Sequence, residues 1–331
     1  MAEGPGLISK MQPVIIIAAA CIGIFLGQNL FFSDNAGGLI EPFLMILLFV
    51  VFLKIDLRDI GKSFTNTKFT ATSLLMNFVW TPMFAVLLGY LFLGESMDMR
   101  IGFLMLLVTP CTEWYLVFTG IAKGNVPLSS AILPMNLIIQ VLLLPVYLML
   151  FVGSGTHLDM GSILFSIVYV LVIPLVLANL TRFVINRIGE KERSERILNA
   201  QGDNLQLLFL CFAVVAMFAS QGDAMVENPT MLVRMFVPLG IFFLINFIIA
   251  QMIGRKLGFS FDDTTSLTFT TLARNSPLAL AIAVAAFPDS PLIALVLVIG
   301  PLLELPVLSL ASSIILRMRE NISQNNIEIE R

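Results

Sequence analysis

"TPCTEWYLVF" at residues 109–118 and "LARNSPLALA" at residues 272–281 decide the fold of this chain. Each stretch sets proline and polar residues inside a run otherwise apolar enough for the core of a bilayer. In the first, Pro110, Cys111, Thr112 and Glu113 follow "IGFLMLLV". In the second, Arg274, Asn275, Ser276 and Pro277 precede "LALAIAVAAF". Proline removes a backbone donor and clashes with the preceding helical turn. In hydrocarbon each unpaired backbone group costs several kcal/mol, so such breaks survive only against protein or a watery cavity. The two breaks, Pro110–Glu113 and Arg274–Pro277, are therefore expected to meet near the membrane midplane.

The composition agrees with a membrane solvent. Of 331 residues, 58% are hydrophobic and only 12% charged, about half the charged share of a soluble domain, roughly 25%. No basic stripe points to nucleic acid. Cys21, Cys111 and Cys211 form no pair with metal-binding or redox spacing. The single His157 sits in "GSGTHLDMG" and reads as a solvated loop residue. Without a second histidine or a metal motif, a membrane-embedded enzyme has no catalytic cluster to work with, and no cofactor is expected.

A spanning helix takes about 20 apolar residues. Windows of that length place ten spans near 13–32, 40–53, 69–93, 101–122, 127–152, 162–185, 204–220, 232–253, 264–287 and 290–316. With a cytoplasmic N-terminus, nearly all of the 19 Lys and Arg fall in cytoplasmic segments. Only Arg100 and Arg234 lie in outer loops, and Arg274 lies inside a span. That bias follows the positive-inside rule and puts both termini in the cytoplasm.

Ten spans divide into two halves of five, residues 1–155 and 156–331. An odd number of spans per half turns the second upside down relative to the first. The ends of the halves match. Each has a polar break, a tight turn (Asn125-Val126-Pro127 or Asp289-Ser290-Pro291) and a last span ending in Leu-Pro-Val. The breaks align at an offset of 164 residues, which also sets Gln140 against Glu304. Inverted repeats with matching interrupted helices are the pattern of secondary transporters, which bind their solute where the helices break.

At these residues the chain resembles the bile acid:sodium symporter superfamily, and within it the arsenite permease branch. The resemblance is carried by "TPCTEWYLVF", "AKGNVPLSSAILPMNLIIQ", "LALAIAVAAF" and "GPLLELPVL". It implies an all-α polytopic membrane protein of ten helices, with core and panel domains and with broken helices four and nine crossing. The implied activity is arsenite or antimonite efflux in exchange for protons, across a prokaryotic plasma membrane. The alternative is a sodium- or proton-coupled organic-anion transporter with Arg274 as counter-ion. The chain departs from the family at the second break. Ala279 stands where the arsenite branch has an acid, and the run from Ala273 to Pro277 carries none.

Each candidate residue has a functional and a plainer reading. Cys111 is either a soft ligand for a trivalent metalloid or a small apolar filler. Thr112, Asn275 and Ser276 offer oxygens to cargo or satisfy the broken backbone. Glu113 and Glu304 are intramembrane carboxylates. Residues of this kind point to function by default, either carrying the coupling proton or pairing with Arg274. Asn136 and Gln140, one turn apart, line a cavity or bind helices together. Trp114 and Tyr115 read as packing or cavity wall.

Overall fold

The computed structural model describes residues 7–54, 65–94, 96–112, 114–151, 160–188, 191–227 and 229–329. Glu113, His157 and the junction between the expected halves lie outside them. The described chain is helical, and no strand occurs in it. The helices are α1 Leu7–Gly27, α2 Leu30–Lys54, α3 Thr67–Phe92, α4 Met97–Val108, α5 Trp114–Ile121 and α6 Val126–Phe151. They continue with α7 Met160–Ile188, α8 Lys191–Glu227, α9 Pro229–Lys256, α10 Phe261–Leu272, α11 Ser276–Ala286 and α12 Pro291–Ile329.

Among the described residues, five helical stretches are long and apolar enough to cross a membrane: Phe31–Leu53, Thr67–Phe92, Val126–Phe151, Val233–Lys256 and Pro291–Asn321. Shorter apolar helices lie at Val14–Gly27, Val172–Ile185, Asn204–Ser220 and Ser276–Ala286. The outer surface is correspondingly apolar, with Phe25, Phe31, Tyr90, Leu91 and Phe165 exposed. An apolar surface this extensive needs lipid against it.

The first boundary differs from expectation. The chain bends after Gly27 and not near residue 32, and α2 starts at Leu30 and not near residue 40. Asn29 explains the shift, because its Oδ1 accepts the Phe31 N–H at 3.0 Å and starts the new helix. The expected spans at 101–122 and 264–287 are each interrupted, between α4 and α5 and between α10 and α11.

Local chemistry sets the ends of these half-helices. Ser96 and Ser260 cap α4 and α10 by accepting the N–H of Met99 and Asp263. Thr109 leaves the helical region at φ −105°, ψ 95°, because a residue before proline is pushed toward extended backbone. Ala273 is likewise extended, at φ −74°, ψ 138°. Asn275 then caps α11, its Oδ1 accepting the Leu278 N–H at 3.2 Å.

Packing divides the helices into two neighbourhoods. α8 lies along α1 and α2, and α7 lies along α2. Gly23 and Gly27 let α1 approach closely, since a Cβ on either would fall within 2.6 Å of the α8 backbone at Val215 or Ala219. Around the breaks, α4 packs on α3 and α12, α10 on α9 and α5, and α11 on α12. α11 also touches α2 and α7, and α1 touches α12.

Candidate functional site

The two breaks meet. Pro110 and Arg274 form an isolated antiparallel bridge. Cys111 donates its main-chain N–H to Ala273 O at 3.0 Å, and Asn275 donates to Thr109 O at 2.7 Å. Each break thus satisfies backbone groups that the other leaves free, the condition for irregular backbone at membrane depth. Thr109 Oγ1 donates back to Met105 O at 2.9 Å, so its hydroxyl serves the interrupted helix.

Glu304 reaches this crossing from α12. It is 2% exposed, and its Oε1 accepts the main-chain N–H of Arg274 at 2.8 Å. Of the two acids set against the Arg274 charge, Glu113 lies outside the described residues, and Glu304 holds the Arg274 main chain while the guanidinium turns elsewhere. Arg274 Nε donates to Leu272 O at 3.3 Å, Nη1 to Leu107 O at 2.8 Å, and Nη2 to Asn77 Oδ1 at 3.0 Å. Nη2 also donates to Thr271 O. The guanidinium carbon lies 5.4 Å from the centre of the Phe242 ring.

Asn77 was missed by the sequence reading. It sits in a π-helical turn, Met76–Trp80, inside α3, a distortion that concentrates at functional sites. Its Nδ2 donates to Thr270 O at 3.2 Å, which aims its oxygen at Arg274. The carbonyl of Phe78 in the same turn accepts from the Tyr147 hydroxyl at 2.6 Å. The available signal was an asparagine inside the apolar run "SLLMNFVW".

A small cavity adjoins the crossing. It is lined by Glu304, Arg274, Ser276 and Pro277, with Trp114 and Pro301 beside them and Ile16 and Leu210 closing it from α1 and α8. It has room for about one or two waters or a solute of similar size. Ser276 Oγ and Asn275 Nδ2 have no hydrogen-bond partner among the described residues.

The remaining candidates fall nearby or apart. Cys111 is 5% exposed, and its Sγ accepts the Trp114 N–H at 3.3 Å at the start of α5. Thr112 is buried. Tyr115 donates its hydroxyl to Ser129 O at 2.9 Å and is packing. Trp114 is cavity wall, as its plainer reading had it. Asn136 and Gln140 are 1% exposed, and the side-chain nitrogen and oxygen of each lack partners among the described residues. Neither lines the cavity at Glu304.

Residues 41–228 match the Sodium Bile acid symporter family. The arsenical-resistance protein Acr3 of Corynebacterium glutamicum is 26% identical over 321 residues, covering 91% of this chain and 86% of that protein. Its namesake in Alkaliphilus metalliredigens is 22% identical, covering 92% and 91%. The uncharacterized protein YbaS of Bacillus subtilis is 23% identical, covering 88% and 92%.

Proposed function

The chain belongs to the sodium bile acid symporter family, and from that premise we propose that it exports arsenite or antimonite in exchange for protons. A membrane transporter with relatives named for arsenical resistance is the starting point. The observation that carries the finer reading is the crossing itself: the Glu304 carboxylate and the Ser276 hydroxyl, which has no partner among the described residues, line a cavity only a few atoms wide, and the Cys111 thiol lies buried in the adjoining break. Arsenious acid, uncharged and of four heavy atoms, is far nearer to that space than a bile-acid-sized anion is.

In this reading Cys111, Thr112, Asn275 and Ser276 hold the cargo. The Cys111 thiol displaces one hydroxyl of the metalloid acid, forming an S–As bond and releasing water. A single thiol keeps the complex weak enough to release. Glu304 carries the coupling proton, with Glu113 beside Cys111 in sequence as a second candidate, and Asn136 and Gln140 hold water or the proton's path. Pro110 and Pro277 keep the helices broken. The ten spans form two inverted repeats, 1–155 and 156–331. α1, α2, α7 and α8 act as a panel that rocks against the helices around the crossing. Both termini are cytoplasmic, in a prokaryotic plasma membrane.

The organic-anion alternative needs Arg274 as counter-ion. Its guanidinium uses four of five N–H donors on protein oxygens, which favours the metalloid reading. The test is survival of a host lacking its own arsenite exporter. The chain is expected to raise the tolerated arsenite and antimonite about tenfold. Cys111→Ser, expressed equally, is expected to lose the gain. Full protection by Cys111→Ser would remove the thiol from the mechanism, and no protection by the unaltered chain would remove the cargo.

A further inference from the structure

The cavity beside the crossing has two unlike walls. Its charged and hydroxyl side chains, Glu304, Arg274 and Ser276, all come from the second break and α12. Among the described residues, α1 and α8 contribute only Ile16 and Leu210. Both are buried, Ile16 at 1% exposure and Leu210 at 7%, and both belong to the apolar core that surrounds the crossing. Their relative position is set by backbone contact. A Cβ on Gly23 would fall 2.6 Å from Val215 O, and one on Gly27 would fall 2.5 Å from Ala219 O. α1 and α8 therefore run parallel in a fixed register, which brings Ile16 and Leu210 to nearly the same height. Leu208, two residues before Leu210, is 45% exposed and takes no part in the cavity.

We propose that Ile16 and Leu210 form an apolar lid that sets the size of the cargo, a role that rests on the metalloid reading above. Neither side chain can donate or accept a hydrogen bond, so the lid selects by volume and leaves the chemistry to the broken-helix side. A trivalent arsenical with a phenyl ring in place of one hydroxyl makes the distinction. It keeps two hydroxyls, and the Cys111 thiol can still displace one: the S–As bond forms, an As–O bond breaks, and the thiol proton leaves with the hydroxyl as water. Its ring, however, needs the space that Ile16 and Leu210 fill. A close-packed interior does not give up such space without strain. Truncating a leucine to alanine in an apolar core, by contrast, leaves a hole that takes a benzene ring. Because the two glycines seat α1 on α8, the two lid residues advance and withdraw together.

The test compares tolerance to arsenite and to phenylarsonous acid in a host lacking its own arsenite exporter, with membrane levels of each variant matched. The unaltered chain is expected to protect against arsenite and to leave phenylarsonous acid tolerance within about twofold of the empty host. Leu210→Ala and Ile16→Ala should each raise phenylarsonous acid tolerance by at least about threefold while still protecting against arsenite. Leu208→Ala, outside the cavity on the same helix, should change neither. Alanine variants that protect against arsenite but never against the phenyl compound would overturn the lid alone. So would an unaltered chain that protects against both, or an equal gain from Leu208→Ala. No arsenite protection by the unaltered chain would remove the metalloid reading, and the lid with it. Where an alanine variant does not reach the membrane, valine at the same position decides by the same comparison, with a smaller gain expected and no gain overturning the proposal.

Discussion

Glu304 supplies, in the middle of α12, the acceptor that the main-chain N–H of Arg274 needs at the break. Glu304→Gln preserves an oxygen acceptor but cannot release a proton. It is expected to fold with a nearly unchanged thermal midpoint and to lose most proton-driven efflux in everted vesicles. Glu304→Leu strands the buried N–H and should lower stability by about 1–3 kcal/mol, measured by chemical or thermal unfolding in detergent. A glutamine variant that couples normally would move the proton to another group. At the same scale Cys111 has a structural duty that spacing did not reveal, since its sulfur accepts the first N–H of α5. Serine keeps that acceptor, which is why it isolates the thiol chemistry.

At the scale of elements, the crossing depends on how closely α12 approaches α4 and α11. A Cβ on Gly300 would lie 2.7 Å from Ser276 Oγ and 2.6 Å from Leu106 Cδ1. Gly300→Ala must therefore displace the Leu106 and Ser276 side chains or α12 itself, and overpacking of this kind costs about 1–3 kcal/mol. The variant is expected to melt lower and transport poorly. Gly240→Ala on α9 is the control, because nothing lies within 4 Å of its Cβ position. Equal melting of the two variants would show that this approach has slack. The breaks themselves are mutually dependent: Cys111 and Asn275 each donate to the other half-helix, so neither can be straightened alone without stranding the other.

For the whole molecule, lipid-facing apolar surface surrounds a buried polar centre, the reverse of a soluble enzyme's arrangement only in its exterior. The panel reading places α1 and α8 on one side of the cavity, through Ile16 and Leu210, and α11 and α12 on the other. Movement of one group against the other would open and close it. The distribution of Lys and Arg gives an expectation at this scale. Fusing a reporter that matures only in the cytoplasm to either terminus should give signal in both cases, and a periplasm-dependent phosphatase should give none. A phosphatase signal at the C-terminus alone would mean an odd number of spans and would undo the inverted repeat.

The amino-acid sequence by itself determined that the chain is helical, that it lives in lipid, and where two of its helices break. Those properties are local, because hydropathy and proline act over a turn or two. It also set the two breaks, Pro110–Glu113 and Arg274–Pro277, against each other, and Pro110 and Arg274 do bridge. Only the tertiary structure decided what the charged groups touch. Arg274 meets Asn77, 197 residues away, and Glu304 takes a backbone N–H 30 residues away. Sequence patterns name a buried cation and a buried carboxylate as natural partners. Three dimensions placed four oxygens around the cation first, and left the carboxylate to the backbone and the cavity.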